Sequence, residues 1–522
     1  MARSPPAPAN AASSPAAPTK DWPLSPRAQL IAGVAAALTN FMVVLDLTIA
    51  NVSVPHIAGN LGTTLEQGAW IITSYAVAEA ICVPLSGWLS DRFGVVRVFL
   101  GAMLGFGLFS FVCGISLSLG MLVAARVGQG LCGAPLMPMT QAVMLRIFPP
   151  ERRAKALSLW AITVMLGPAL GPIVGGFISD NYSWHWIFLI NVPIAAGCAV
   201  VGGVLLPRVE SPTVRKPIDR VGLVLLIFWI GCLQLLLDLG RDRGWFEDPF
   251  MLSLGIGSLI GFAAFIIWEL TEEHPVVDLK IFRHRVFSVS AVALALSFGA
   301  YFGGIVVIPQ WLQTTQGYTA QQAGMVVAIN AVSSITMAVI LPRFIERVDL
   351  RIFLSFGIFW FSTQAFVRSG WTTGLGFWQL ATPQLVQGFG LAMFMIPVSQ
   401  MSLGSVLPHE IPGASGLHNF MRTISIAIAT SLSLTVWNDQ ARVNHNALAD
   451  AIQPDAAIGA LAQQGVGPEV ARTVINNLVD DQAITMAMDH LFIITTVIGI
   501  ATSALIWLAP RPVPLKKISV GH

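Results

Sequence analysis

Residues 167–176 read Gly-Pro-Ala-Leu-Gly-Pro-Ile-Val-Gly-Gly and lie inside an apolar run at 156–179. Glycines that recur at positions i, i+4 and i+8 fall on one face of a helix, so a neighbouring helix can approach that face closely. The two prolines bend such a helix and free backbone carbonyl groups. Packing of small residues explains the glycines but not the regular Gly-Pro pairing. The stretch therefore predicts a bent, apolar helix with a close neighbour.

Apolar runs of similar length recur along the whole chain. A membrane-spanning helix needs about 20 predominantly apolar residues, and fourteen runs meet that requirement. They lie near 28–50, 68–89, 97–118, 121–145, 156–179, 186–206, 219–239, 250–270, 287–311, 323–345, 352–371, 377–401, 413–437 and 486–508. Only 11% of the 522 residues are charged, against about 25% in a soluble domain. The sequence predicts an all-α integral membrane protein with 14 transmembrane helices.

Composition argues against several classes of protein. The net charge of +2 gives no reason to expect a nucleic-acid partner, and the five cysteines lie in apolar runs without CxxC spacing. The nine histidines show no paired ligand spacing, so we predict no metal site. A membrane-embedded transferase would need catalytic His, Asp or Glu clustered near one interface, and a sensor would need a large soluble domain. The sequence shows neither, nor a phosphate-binding loop, so we predict no enzyme and no cofactor.

Basic residues are distributed unequally between the two sides of the predicted membrane domain. Cytoplasmic loops carry an excess of Lys and Arg. With the N-terminus inside, 22 basic residues fall on the cytoplasmic side and 5 outside. Residues 1–27 lack the apolar core of a secretory signal and are predicted to be a disordered tail. Because the number of spans is even, both termini are predicted to be cytoplasmic.

The chain contains an internal parallel repeat. The residues Gly62, Thr64 and Gln67 recur 255 positions later, and Pro138, Gln141 and Glu151 recur 259 positions later. This predicts two parallel six-helix bundles plus two inserted helices, a design that suits alternating access with a substrate site between the halves. The predicted segments are the tail 1–27, the N-terminal bundle 28–206, the insert 207–286, the C-terminal bundle 287–508 with an outer loop at 438–485, and a cytoplasmic tail 509–522.

Four further stretches carry polar residues at fixed places in the runs. They are Leu45-Asp46-Leu-Thr-Ile-Ala-Asn51-Val-Ser-Val-Pro55, Gly87-Trp-Leu-Ser-Asp91-Arg92-Phe-Gly94-Val-Val-Arg97, Arg126-Val-Gly-Gln129-Gly130 and Trp184-His-Trp186-Ile-Phe-Leu-Ile-Asn191-Val-Pro193. Together with 167–176 they resemble the major facilitator superfamily over roughly 28–508. The fourteen runs resemble its larger drug:proton antiporter family, the EmrB/QacA type. Two departures are Val95-Val96, where the family often has a basic pair, and the loss of glycines in the counterpart 343–351.

The resemblance implies the major facilitator fold and a bacterial inner-membrane location. It implies proton-coupled efflux of small amphiphilic organic compounds, as in a multidrug or toxin antiporter. The alternative is proton-coupled transport of one specific metabolite, siderophore or lipid precursor. The outer loop, with predicted helical stretches at 439–452 and 468–483, either meets a periplasmic membrane-fusion adaptor and outer-membrane duct or caps the outer vestibule. The motif residues with an implied conformational role are Gly87, Asp91, Arg92, Gly94, Arg97, Gly167, Pro168, Gly171, Pro172, Gly175 and Gly176.

Three charged side chains fall at bilayer depth, where each costs about 2.5–3.5 kcal/mol. The resemblance implicates Asp46 in proton coupling and ties Arg126 to proton transfer; the structural alternatives are helix-to-helix bonding and anchoring on carbonyl groups. Glu79 either accepts a coupling proton or binds a cationic substrate; the alternative is that it faces a water-filled cavity and has no part in proton coupling. Arg422 is interpreted as a structural or inner-leaflet residue. The side chains that either line the cavity or join helices are Gln129, Gln310, Asn330 and Gln400.

Overall fold

The computed structural model describes residues 23–511, except 215–216, 241–242, 346, 452–457, 459–462 and 464–466. In that part of the chain, fourteen helical spans are long and apolar enough to cross a membrane. They are α1 (Pro26–Ala50), α2 (Trp70–Phe93), α3 (Val95–Gly114), α4 (Leu119–Ile147), α5 (Arg153–Ser179), α6 (Trp186–Val209), α7 (Arg220–Leu239), α8 (Pro249–Thr271), α9 (Arg285–Thr314), α10 (Gln321–Ile345), α11 (Leu350–Arg368), α12 (Phe377–Gly404), α13 (Ile411–Asp450) and α14 (Pro468–Leu508). The predicted number of spans is confirmed. Most of the two predicted tails, at 1–22 and 512–522, lies outside the described residues.

The last two spans are longer than the sequence predicts. One helix runs over Ile411–Ala451 and another over Pro468–Leu505. The helical stretches predicted at 439–452 and 468–483 therefore continue the spans rather than forming separate elements, although residue 452 lies outside the described residues. The two extensions pack on each other, since Trp437 Nε1 donates to the Ile484 carbonyl at 3.1 Å. Apolar contacts and this bond hold the two extensions side by side. We call the paired stretches 438–451 and 468–485 the hairpin.

The glycine face of α5 lies directly against α1. A Cβ atom at Gly167, Gly171 or Gly175 would come closer than 3.0 Å to atoms of α1. The short separation also allows Thr48 Oγ1 of α1 to donate to the Gly167 carbonyl at 3.1 Å. Glycine is required here because any side chain would push the two helices apart. The 167–176 stretch thus fixes the position of α1, the helix that carries Asp46.

The repeat in the sequence is matched in the local backbone. Gly62 and Gly317 both adopt a left-handed conformation, with φ of 65° and 66°, which glycine adopts at little cost. Each precedes a helix that begins with a capping box, in which a threonine and a glutamine three residues later bond each other's backbone. The boxes pair Thr64 with Gln67 and Thr319 with Gln322. The chain therefore enters the second helix of each half through the same turn and the same cap.

Packing groups the spans into two sets and a pair. Helices α1–α6 pack among themselves, as do α9–α14, and α7 packs on α8. The two sets meet where α5 contacts α10 and where α13 contacts α2 and α4. Helix α7 lies beside α2 and α13, and Ser431 Oγ donates to the Leu237 carbonyl at 2.7 Å. The division at 28–206, 207–286 and 287–508 remains a proposal that this packing supports.

The halves touch at the end of the bundle where α4 leads into α5, which we call the basic end because the more basic loops lie there. A Cβ atom on Gly87 of α2 would lie 2.7 Å from the Cα atom of Gly413 in α13. Nearby, Ser415 Oγ donates to Gln141 Oε1 at 2.7 Å, and Asn419 Nδ2 donates to the same oxygen at 2.8 Å. Backbone contact and a shared acceptor therefore join the halves at this end.

Replacing Gly171 with alanine is expected to destabilise the protein, because the added methyl group would meet Thr48 of α1. Overpacking of this kind costs about 1–3 kcal/mol. The matched control is Gly176→Ala, since a Cβ atom there has no neighbour within 4 Å among the described residues. Thermal unfolding of the purified variants should show a lower melting temperature for Gly171→Ala alone. Equal melting temperatures for the two variants would contradict the close packing of α1 and α5.

Candidate functional site

Asp46 is the centre of a buried polar cluster in the N-terminal half. Its side chain has 0% of its surface exposed. Oδ2 accepts a hydrogen bond from Arg126 Nη1 of α4 at 2.7 Å. Oδ1 accepts from Gln129 Nε2 at 3.0 Å and from Asn191 Nδ2 of α6 at 2.7 Å. The carboxylate therefore receives three hydrogen bonds, one of them from a cation, and joins α1 to α4 and α6.

Arg126 is held by more than its ion pair with Asp46. Its Nε donates to the Ile71 carbonyl of α2 at 3.0 Å, and Nη1 also donates to Gln129 Oε1 at 2.7 Å. The guanidinium lies 4.3 Å from the ring centroid of Tyr75 and 5.6 Å from that of Phe188. Aromatic faces attract cations, more strongly where water is excluded. The position of Arg126 is thus fixed from several helices at once.

Ser110 of α3 orients the two amides that bond Asp46. Its hydroxyl oxygen accepts from Gln129 Nε2 at 2.9 Å and from Asn191 Nδ2 at 3.0 Å. The hydroxyl itself donates to the Phe188 carbonyl at 3.2 Å. Both amide NH2 groups are therefore turned towards the carboxylate. A proton that neutralised Asp46 would remove the charge opposite Arg126 and weaken the bond between them, whereas the bonds from Arg126 to Gln129 and to the Ile71 carbonyl would remain.

Glu79 of α2 is a second buried acid, with 5% of its surface exposed. The charged groups that act on it are Arg422, Arg126 and Asp46. Arg422 belongs to α13, in the other half, and is 6% exposed with its guanidinium 5.9 Å from the ring centroid of Phe298. Its Nη2 donates to Met137 Sδ of α4, so Arg422 is buried at the contact between the halves. Of the two roles predicted for Arg422, structural or inner-leaflet, this position favours the structural one.

The C-terminal half contains its own buried polar cluster. Arg368, at the end of α11, is 3% exposed and donates through Nη1 to Gln384 Oε1 at 2.9 Å and to Gln387 Oε1 at 2.8 Å. Asn330 of α10 donates to Gln387 Oε1 at 3.4 Å and to the Tyr301 hydroxyl at 3.3 Å. Asn330, a predicted cavity residue, is thus part of this cluster.

Residues 36–430 match the family described as Major Facilitator Superfamily. The chain belongs to the major facilitator superfamily. It is similar to multidrug export protein EmrB of Escherichia coli (strain K12), with 38% identity over 496 residues that cover 94% of this chain and 97% of that protein. It is also similar to fatty acid resistance protein FarB of Neisseria gonorrhoeae, with 38% identity over 480 residues, 91% of this chain and 95% of that one. The predicted resemblance to EmrB-type members of the superfamily is confirmed.

Solved structures confirm the fold. The crystal structure of the human organic anion transporter MFSD10 (TETRAN) superimposes with a TM-score of 0.58 over 91% of this chain and 100% of that chain, at 14% identity. The crystal structure of a bacterial homologue of the human lysosomal transporter Spinster, in an inward-facing and unoccupied conformation, gives a TM-score of 0.50. The match covers 93% of this chain and 98% of that chain, at 15% identity. At these identities the likeness concerns the fold, which is the major facilitator fold of a multi-pass membrane transporter.

Within this major facilitator fold, the other predicted cavity residues lie in different places. Gln129 is fully buried and holds Asp46 and Arg126. Gln310 is exposed near the end of α9 that lies opposite the basic end. Gln400 is half-buried and lines a small cavity at the basic end together with Arg153. The structure therefore brings Gln129 to the charged cluster, whereas Gln310 and Gln400 occupy other parts of the molecule.

The charged turn between α2 and α3 depends on a residue that the sequence analysis missed. Gly94 has a φ of 94°, and a Cβ atom there would meet the carboxylate of Glu210. Glu210 Oε1 accepts from the Val96 backbone N–H at 2.9 Å, and Oε2 accepts from that of Arg97 at 3.1 Å. A carboxylate at a helix N-terminus is favourable. Glu210 stands 116 residues after the turn, so no local pattern identifies it.

Arg126→Lys is expected to destabilise the N-terminal half. Lysine keeps the charge but lacks the planar fork that reaches Asp46, Gln129 and the Ile71 carbonyl together. Hydrogen bonds that involve a charged group contribute about 1.5–3 kcal/mol each, so a loss of about 2 kcal/mol or more is expected. Arg442→Lys is the control, because the Arg442 side chain is 79% exposed. Thermal unfolding that leaves both variants equally stable would contradict the proposed anchoring of Arg126.

Proposed function

We propose that this major facilitator exports small amphiphilic organic compounds in exchange for protons. The similarity to EmrB, a protein named for multidrug export, extends over nearly the whole of both chains and supports this choice over transport of one metabolite. The observation that carries the proton-coupled part is the fully buried Asp46–Arg126 pair at 2.7 Å. Ionisable residues inside a membrane domain are costly and commonly belong to ion or proton pathways.

The proposed cycle uses Asp46 as the proton carrier. When water reaches the site from outside, a proton neutralises Asp46 and removes the counter-charge of Arg126. Arg126 stays bonded to Gln129 and to α2, so the attraction between α1 and α4 weakens. Helix α1 is tightly packed on α5, which contacts α10 of the other half, and this link carries the change to the interface. Release of the proton on the cytoplasmic side restores the ion pair.

Glu79 is the second acid in the proposed mechanism. Glu79 and Arg422 lie on helices of opposite halves and act on each other electrostatically. Movement of one half against the other would change their separation and hence the charge that a substrate meets between the halves. We assign Glu79 either to a second proton-transfer step or to binding the cationic group of a substrate. In both cases the proton or the cation would take the place of Arg422 as the positive charge near Glu79.

We place the protein in the bacterial inner membrane with the basic end in the cytoplasm, because basic residues concentrate there. The hairpin made by α13 and α14 then projects into the periplasm. One side of it carries exposed apolar residues at helical spacing, namely Val470, Val474 and Leu478, which are 59%, 39% and 63% exposed. Such a stripe suits packing against a helix of a partner. We propose it as the contact for a periplasmic adaptor that leads to an outer-membrane duct.

The proposed orientation can be tested by labelling single cysteines in intact cells with a membrane-impermeant reagent. Asn446→Cys lies on the exposed part of the hairpin and is expected to react. Ser13→Cys, in the predicted cytoplasmic tail and outside the described residues, is the matched control and is expected to react only after the cells are opened. Labelling of Ser13→Cys but not Asn446→Cys in intact cells would reverse the topology.

Asp46→Asn is expected to abolish uphill export while downhill movement and substrate binding persist in part. Asparagine keeps the size of the side chain but cannot carry the proton. One charge that moves through 100 mV supplies about 2.3 kcal/mol, which sustains roughly a fortyfold concentration gradient. The assay uses proteoliposomes with an imposed pH gradient and rhodamine 6G as the fluorescent substrate.

Asp439→Asn is the control for that experiment, because the Asp439 side chain is 55% exposed and pairs with Arg442 on the hairpin. It should pump at the rate of the unmodified protein. Asp46→Asn protein that is folded and still pumps uphill at the normal rate would place proton coupling elsewhere, and Glu79 would then be the acid to substitute.

A further inference from the structure

The two halves differ in how they neutralise a buried arginine. In the N-terminal half, Arg126 pairs with Asp46. The 255-residue offset that relates the two capping boxes takes Asp46 to Tyr301, which carries no negative charge at neutral pH. The C-terminal half nevertheless buries its own arginine, Arg368, which is 3% exposed. The acid of the first half therefore has no equivalent at the corresponding position of the second half.

The polar partners of Arg368 are neutral. Its Nη1 donates to the amide oxygens of Gln384 and Gln387, and its guanidinium lies 5.1 Å from the ring centroid of Phe492. In the part of the chain that the structure describes, its Nε has no hydrogen-bond partner, and this nitrogen is buried. Within the described residues, no carboxylate lies within 4.0 Å of its guanidinium. A buried cation without a counter-charge is strongly unfavourable.

Arg368 lines a small internal cavity. Tyr301, Ser362, Gln387 and Thr495 are the other polar side chains in its wall, and there is room for about one water molecule or a group of similar size. The Tyr301 hydroxyl accepts a hydrogen bond from Asn330 and can itself donate one. The hydroxyls of Ser362 and Thr495 already donate to backbone carbonyls of their own helices. The donors left for an anion are therefore the Arg368 guanidinium, with its unbonded Nε–H, and the Tyr301 hydroxyl.

We propose that this cavity binds a monovalent anionic group beside Arg368. The group is either the carboxylate of an amphiphilic organic acid that the protein exports, or a small inorganic anion such as chloride. In the first case the inference rests on the proposed function and extends its substrates to acids. In both cases the anion supplies the counter-charge that Asp46 supplies to Arg126.

Equilibrium binding to the purified full-length protein tests the proposal without a proton gradient. Isothermal titration calorimetry with sodium decanoate, decan-1-ol and sodium chloride distinguishes an organic-acid site from an inorganic-anion site. For an organic-acid site, decanoate binds at least about tenfold more tightly than decan-1-ol, and chloride does not displace it. For an inorganic-anion site, chloride binds and displaces decanoate. Equal affinity for decanoate and decan-1-ol, with no binding of chloride, would overturn the proposal.

Gln387→Glu is the sharpest variant, because it places a carboxylate where an amide oxygen now lies 2.8 Å from Arg368 Nη1. The shape of the side chain is nearly unchanged and the arginine remains. Anion affinity is expected to fall at least about tenfold with an equal or higher melting temperature. Arg368→Gln should lose anion binding as well, whereas Arg442→Gln, on the exposed hairpin, should keep it. Folded Gln387→Glu protein that binds the anion like the unmodified protein would contradict the proposed site.

Transport of rhodamine 6G by the unmodified protein, measured beside anion binding, separates this inference from the proposed function. The unmodified protein is expected to bind the anion and also to export this cation when a proton gradient is imposed. Anion binding without any proton-driven export in the unmodified protein would refute the exporter and leave the anion site standing. Proton-driven export in a protein that binds neither decanoate nor chloride would refute only the site at Arg368.

Discussion

The ion pair between Asp46 and Arg126 is the interaction on which the rest of the structure depends. Both side chains are buried, and their atoms lie 2.7 Å apart. Removing either partner of a buried pair leaves an uncompensated charge, which costs about 3–5 kcal/mol. Amide donors on α4 and α6 bond the second carboxylate oxygen of Asp46, and the Ile71 carbonyl of α2 accepts from Arg126 Nε. A change in charge at this one point is therefore felt by four helices, and this makes the pair suited to couple protonation to movement.

Close helix packing gives that coupling a mechanical route. The glycines of α5 bring its backbone against α1, so a displacement of α1 must move α5 as well. At the basic end, Gly87 and Gly413 bring α2 and α13 into similar contact across the halves. Side chains in protein interiors are packed too densely to absorb such shifts gradually. The halves are thus expected to move as units, with Glu79 of one half and Arg422 of the other both buried.

Much of the fold could be predicted from the sequence because lipid imposes a simple rule, about 20 apolar residues for each span. All fourteen spans and the resemblance to the superfamily follow from such local patterns. Partners at the site could not be predicted in the same way, since Asn191 is 145 residues from Asp46 and approaches it only in the folded bundle. Nor does the sequence show that Arg422 is buried against Met137, a residue of the other half. Gln310 has the right residue type, but its side chain is exposed near the end of α9 and belongs to neither buried cluster. Helical periodicity predicts that a residue lies in a membrane-spanning helix, but it does not predict which neighbouring helix will pack against that residue.

The central claim is that Asp46 gains and loses a proton during transport. Infrared difference spectroscopy of the purified protein with bound rhodamine 6G tests it most directly, by following the carbonyl stretch of a protonated carboxylic acid on acidification. We expect bands from buried acids in the unmodified protein and in Asp439→Asn, and we expect Asp46→Asn to lose the Asp46 component and keep only the component of Glu79. The same buried-acid band at full intensity in folded Asp46→Asn would contradict the claim.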